Sequence, residues 1–268
     1  MADLAASVAA ALGVAVSDSV RLQGGDLSSV ALVTLEDGRR VIAKSGGDAG
    51  TEAEMLHAIA ATGCPAPQVL WHGDDLLILS ELAEGRGSDA GWAAAGGAVA
   101  ALHAAHGVGY GWHTDTAFGH VPCPASPTDD WTAFWAERRL LAWPGHLPRD
   151  TARRVERLAA RLPDLLPKDP APSLLHGDLW QGNVLLSGDR FSGLIDPACY
   201  HGHAEVDLAM LTLFGNPPAR FWDAYGPLEP GWDDRRPIYQ LWPALVHLRL
   251  FGAGYRGMVD GLLDRAGV

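Results

Sequence analysis

Leu174-Leu175-His176-Gly177-Asp178-Leu179-Trp180-Gln181-Gly182-Asn183-Val184-Leu185-Leu186 sets polar and small residues between two apolar flanks. A chain able to bury Leu and Val on both sides has no packing reason to hold His, Asp, Gln and Asn between them. Read alone, Gly177-Asp178 and Gly182-Asn183 are turn residues joining two strands. A second reading comes from spacing. Asn183 follows Asp178 by five positions, and Asp196 follows Asn183 by thirteen, at the end of Phe191-Ser192-Gly193-Leu194-Ile195. That is the order of a phosphotransferase catalytic loop: His-x-Asp, then Asn, then a metal-binding Asp after a later strand. Phosphoryl transfer needs a carboxylate to take or orient a hydroxyl proton, the role that suits Asp178. It also needs hard oxygen ligands to hold Mg²⁺ against the phosphates, the role that suits Asn183 and Asp196.

The N-terminal part decides between the two readings. A helix is predicted over 2–12, closed by Gly13, followed by strands at 19–23, 29–35 and 40–44, a helix at 51–61 and strands at 68–71 and 76–80. Glu36-Asp37-Gly38 is a hairpin turn between the second and third strands. Val41-Ile42-Ala43-Lys44 ends the third strand, where a kinase carries its phosphate-pairing lysine. Lys44 follows a turn bearing Gly24 and Gly25, whose backbone N–H groups suit the covering of phosphates. Glu52 is the expected partner of Lys44, because Leu56 and Ile59 lie four and seven positions on, so that its carboxylate shares the apolar helix face. Glu54 points instead with Ala58 and Ala61. The connector after the fifth strand is expected to offer the Ser80 carbonyl and the Leu82 N–H to an adenine, with Leu185 also facing the nucleotide.

Beyond residue 83 the pattern turns helical, with helices predicted at 90–106, 130–141, 149–166, 205–214, 219–225, 235–250 and 254–265. Strand pairing is expected only around 184–186 and 191–195. The fold class is therefore α+β: a two-lobed, protein-kinase-like fold, with residues 1–82 as a five-stranded antiparallel sheet plus one main helix and 83–268 as a mostly helical lobe. The 268 residues carry a net charge of -12, which disfavours a nucleic-acid partner. No stretch has the length of a membrane span. Cys64, Cys123 and Cys199 are odd in number and fit a reducing cytoplasm. A zinc site at Cys199, His201 and His203 lacks a second ligand pair, His103 and His106 read as helix-end residues, and most of the ten Trp read as core. Monomer is the default oligomeric state.

Four segments in order resemble the fructosamine kinase (ketosamine kinase) family, within the aminoglycoside phosphotransferase and choline kinase superfamily. They are the opening stretch, including Trp180 after Asp178-Leu179, and 195–215, with Asp196-Pro197-Ala198 and Tyr200-His201-Gly202-His203. The others are the insert 109–140, ending in Arg139-Leu140, and the C-terminal region 229–255. The resemblance implies ATP- and Mg²⁺-dependent phosphorylation of a sugar hydroxyl on a ketosamine, a small or protein-bound glycated amine, in deglycation or salvage. It implies Asp178 as base, Asn183 and Asp196 as Mg²⁺ ligands, Lys44 with Glu52 as the phosphate-positioning pair, and Asp207 as a support of the loop together with His176. Trp180 and His203 are expected to face the acceptor. Gly177 departs from the Arg of protein kinases, so control by activation-loop phosphorylation is not expected. An aminoglycoside kinase and a catalytically silent nucleotide-binding module are the competing readings.

Overall fold

The computed structural model describes residues 2–22, 29–143 and 145–268. Helix α1 (Ala2–Leu12) leads into β1 (Val16–Arg21), β2 (Ser29–Leu35), β3 (Arg40–Ser45), α2 (Ala49–Ala61), β4 (Val69–His72) and β5 (Leu76–Ser80). The strands form one antiparallel sheet in the order β1-β2-β3-β5-β4. The period-two pattern of the sequence explains why the sheet is covered on both sides. Ala31, Val33, Leu35, Val41, Ala43 and Ile78 pack on one face with Val8 of α1. Ile42, Leu77 and Leu79 pack on the other with Ala49, Ala53 and Leu56 of α2. Lys44 is two residues from Ile42 and so emerges on the α2 face. Asp48 caps α2, accepting from the Thr51 N–H at 3.0 Å.

The remainder is mainly helical, in chain order α3 (Asp89–His103), β6 (Thr116–Phe118), β7 (Val121–Cys123), α4 (Trp131–Trp135), α5 (Arg149–Ala159), α6 (Leu162–Leu165), β8 (Ser173–Leu175), β9 (Val184–Ser187), β10 (Arg190–Leu194), β11 (Tyr200–Gly202), α7 (Glu205–Leu211), α8 (Ala219–Tyr225), α9 (Trp232–Phe251) and α10 (Arg256–Arg265). The core here is aromatic: Trp131, Trp135, Phe134, Phe221 and Tyr239 are fully buried. All three cysteines are free and buried. No helix among the described residues is long and apolar enough to cross a membrane.

Several expectations need correction. Strand pairing after residue 83 is not confined to the β9–β10 hairpin, since β8 pairs with β11 and β6 with β7. These strands are three residues each, too short for a period to show. The helix expected at 130–141 is α4 followed by a π-helical turn at 136–140. The helix expected at 149–166 breaks into α5 and α6, where Pro163 enters a new first turn. Helix α3 ends at His103 rather than at 106, and α7 at Leu211 rather than at 214.

Candidate active site

The site begins where β3, α2 and the loop after β10 meet. Lys44 Nζ lies 2.5 Å from Glu52 Oε1 and 2.7 Å from Asp196 Oδ1, joining groups 152 residues apart in the chain. Burial by itself would lower the Lys44 pKa, but Glu52 and Asp196 together leave it raised. Burial raises Glu52 in turn, with Lys44 opposing the rise. Glu54 turns away, as its spacing predicts, to His113 at 3.2 Å. Asp196 has a φ of +55°, the one non-glycine residue in the left-handed region among those described. Strained backbone of this kind gathers at functional sites.

The loop 176–183 runs from β8 through a 3₁₀ turn, Gln181–Asn183, into β9. Asn183 Nδ2 donates to the Asp178 carbonyl at 2.8 Å and to Asp178 Oδ2 at 3.2 Å. Asn183 Oδ1 is thereby left for another partner. Asp178 is half-buried, and burial, reinforced by the nearby Asp196 and Asp207 and opposed by Asn183, pushes its pKa up to about 7. His176 Nδ1 accepts from the Asp178 N–H at 3.3 Å, so its Nε2–H is the group that donates to the Ile195 carbonyl at 2.9 Å. Burial lowers the His176 pKa, which keeps this tautomer neutral. The loop is thus tied to the strand that delivers Asp196.

Asp207, fully buried on α7, accepts from the His176 N–H at 2.6 Å and the Gly177 N–H at 2.9 Å. His103 completes this support, with Nε2 3.1 Å from Asp207 and Nδ1 2.9 Å from the Tyr225 hydroxyl. His103 was expected to be only a helix-end residue. Its position four after Val99, on the buried face of α3, is the signal that reveals it. Gly177 has a φ of +81°, and a Cβ there would stand 1.9 Å from the Ala198 carbonyl oxygen. No Arg fits at this position.

The connector after β5 runs along β9. Gly85 N–H donates to the Leu186 carbonyl at 2.7 Å and Ser88 N–H to the Gly188 carbonyl at 2.9 Å. Ser80 ends β5 opposite Val41, and Leu82 is half-buried against Gly193. A cavity of about 420 Å³ opens beside this connector, lined by Glu84, Arg86, Trp92, Gln181 and Leu185 among others. Trp180 is 41% exposed and lies over Gly182, where a Cβ would be 2.2 Å from the indole. Gly24 and Gly25 lie outside the described residues.

His203 goes elsewhere. It is 3% exposed, its Nδ1 is 2.8 Å from the Tyr239 hydroxyl, and its ring meets the edge of Trp131. Burial, with Arg235 nearby, lowers its pKa to about 3. His203, Glu205 and Glu229 come close enough to suggest a metal, but the Arg235 guanidinium already forks onto Glu205 at 2.7 and 2.5 Å. His201 stacks on Trp112 and Cys199 N–H meets the Met55 sulfur, so these two diverge from His203.

The Asn183 and Asp196 oxygens form the hard donor set that suits Mg²⁺. Asp196 fits such a role in exposure as well, its side chain being 49% accessible. Together the residues bring a fixed cation, two side-chain oxygens of the kind that suits Mg²⁺ and a carboxylate with a pKa near neutrality into one place, a set that fits phosphoryl transfer to a hydroxyl.

Comparison with known proteins agrees with this chemistry. A family model, Fructosamine kinase, matches residues 4–266. A probable ketoamine kinase of Synechocystis is 40% identical over 80% of this chain and 77% of its own. One from Thermus thermophilus is 36% identical over 88% of this chain and 89% of its own. The crystal structure of a candidate fructosamine-3-kinase from Thermobifida fusca superposes with a TM-score of 0.90 at 34% identity, covering 99% of both chains.

Proposed function

The chain belongs to the fructosamine kinase family, and from that membership we propose that it is an ATP-dependent phosphotransferase acting on a sugar hydroxyl of ketosamines, either free or protein-bound glycated amines. The observation that carries the reading is the convergence of Lys44, Glu52 and Asp196 beside the Asp178–Asn183 loop. Residues 1–82 cover the nucleotide and 83–268 carry the loop and the acceptor. Lys44, held by Glu52, orients the phosphates. The Ser80 carbonyl and Leu82 N–H face the adenine, and Leu185 packs against it. Asn183 and Asp196 hold Mg²⁺, which when bound neutralises charge building on the phosphates. Asp178 takes the acceptor proton, and a pKa of about 7 leaves it both partly ionised and basic enough to do so. Asp207, His176 and His103 keep the loop in place, while Trp180 offers the acceptor an apolar wall. Three free cysteines support a reducing, cytoplasmic setting.

The test is phosphate transfer from Mg-ATP to fructosamine or ribulosamine. Asp178→Ala should lower the rate by about 10²–10⁴. Transfer by the wild type no faster than by that variant would refute the proposal. An aminoglycoside acceptor has less support, because the family match spans 4–266, insert included.

A further inference from the structure

A second, smaller cavity lies against the Gly177 turn, walled by Arg139, Tyr200, Phe118 and Trp242 and by Gly177 and Ala198. It offers about 10 Å³ to the centre of a water-sized group, room for one oxygen-bearing group. Arg139 and Tyr200 are 2% and 3% exposed, yet among the described residues Arg139 Nε meets no acceptor, and the Tyr200 hydroxyl has only the neighbouring Arg139 guanidinium, with no well-formed hydrogen bond between them. Buried polar atoms are nearly always paired, so an unpaired Nε–H and a poorly paired hydroxyl on one small cavity point to a ligand between them. Among the described residues no carboxylate forms an ion pair with Arg139. Its Nη1 donates to the Pro124 and Arg138 carbonyls at 2.7 and 2.9 Å, and its guanidinium lies 4.2, 4.7 and 4.8 Å from the ring centres of Tyr200, Phe134 and Trp242.

The local backbone is built to aim this side chain. Arg139 sits in the π-helical turn 136–140, closed by the Leu141 N–H on the Ala136 carbonyl at 2.8 Å. Such turns insert a residue into a helix and recur at functional sites.

The geometry points to this cavity as the seat of the acceptor's terminal hydroxymethyl group, held by the Arg139 Nε–H and the Tyr200 hydroxyl. The inference rests on the ketosamine reading. A space for one oxygen-bearing group admits the end of a chain and not its middle. A ketosamine in its open-chain or furanose form has a cationic amine at one side, free or joined to a protein, and a hydroxymethyl at the other, and the Arg139 cation repels the first. Gly177 precedes Asp178 and Ala198 lies two residues after Asp196, so a sugar anchored here sets an inner hydroxyl toward the base. Arg139 and Tyr200 are in this way specificity-determining residues, selecting the polyol end of the acceptor.

The experiment measures binding of 1-amino-1-deoxyfructose and its 6-deoxy analogue by titration calorimetry, together with phosphate transfer to each. Wild type, Tyr200→Phe and Arg139→Lys are compared. The wild type should prefer the hydroxylated sugar by about ten- to a hundredfold, the range of a hydrogen bond to a charged donor. Tyr200→Phe, which removes a single oxygen and leaves the ring stack, should cut that preference by about three- to tenfold, Arg139→Lys, which removes the Nε–H, should cut it more, and neither should change the KM for ATP. Equal wild-type affinity for the two sugars means that the cavity holds a buried water only, and overturns the inference. Equal weakening of both sugars by Tyr200→Phe overturns it too. Transfer to fructosamine without discrimination leaves the kinase reading standing and removes this one. Discrimination in binding without transfer to any ketosamine does the reverse, and failure to bind either sugar removes both.

Discussion

Asp207→Asn tests how far the catalytic loop depends on one buried carboxylate. Asp207 is fully buried and accepts from His176 N at 2.6 Å, Gly177 N at 2.9 Å and His103 Nε2 at 3.1 Å. Asparagine keeps one oxygen and turns the other into an NH₂ facing an N–H donor. One charge-assisted bond is lost, worth about 1.5–3 kcal/mol, and a buried donor is left unpaired at about 1–3 kcal/mol more. Relief of burying the charge offsets part of this, so a net loss of about 2–4 kcal/mol is expected in urea unfolding. The same substitution removes a negative charge that helps to raise the Asp178 pKa. Activity needs Asp178 ionised, so in the wild type kcat/KM should climb with pH through about 7. In the variant that limb should move to lower pH, because the Asp178 carboxylate becomes easier to form. A stability loss below about 0.5 kcal/mol, within the range of an ordinary surface change, together with an unmoved acid limb would refute the account of Asp207 as the loop's anchor.

Gly177→Ala meets both a φ of +81° and a Cβ position 1.9 Å from the Ala198 oxygen. It should lower stability by about 2–4 kcal/mol in thermal or urea unfolding, and kcat with it. Lys44→Met removes the cation shared by Glu52 and Asp196 and should reduce kcat/KM by about 10²–10³ in a coupled ATP assay. His203 has a folded pKa of about 3, below its usual 6.5, so it favours the folded state fully above pH 6.5. That contribution is lost as pH falls toward about 3, at roughly 1.4 kcal/mol per pH unit, and urea unfolding of His203→Gln should show a shallower acid slope.

How much was legible in the chain depended on how local each signal is. Glu52 rather than Glu54 could be chosen from helical spacing alone, since Leu56 and Ile59 mark the buried face of α2. The strands of the N-terminal sheet were readable because alternation persists over several residues, as in Ser29–Leu35. The β8–β11 pair escaped notice because each strand is three residues long and its partner lies more than twenty positions away. His103 looked like a helix end because its two partners, Asp207 and Tyr225, are more than a hundred residues distant.

The sequence by itself determined the chemical inventory and its order: Lys44, Glu52, Asp178, Asn183 and Asp196, with glycine at 177, while Asp207 entered through the family resemblance. Spacing carries that much, because a loop of fixed length between two strands keeps Asp178 and Asn183 together in any fold that contains it, and helical periodicity marks the buried face that holds Glu52. Tertiary structure alone decided the contacts between distant segments: the bridge from Lys44 to Asp196, the strut from Tyr225 through His103 to Asp207, and the turn of Arg139 onto Tyr200. Those depend on how helices and sheet pack, and packing is set by the summed burial of many side chains rather than by any one stretch.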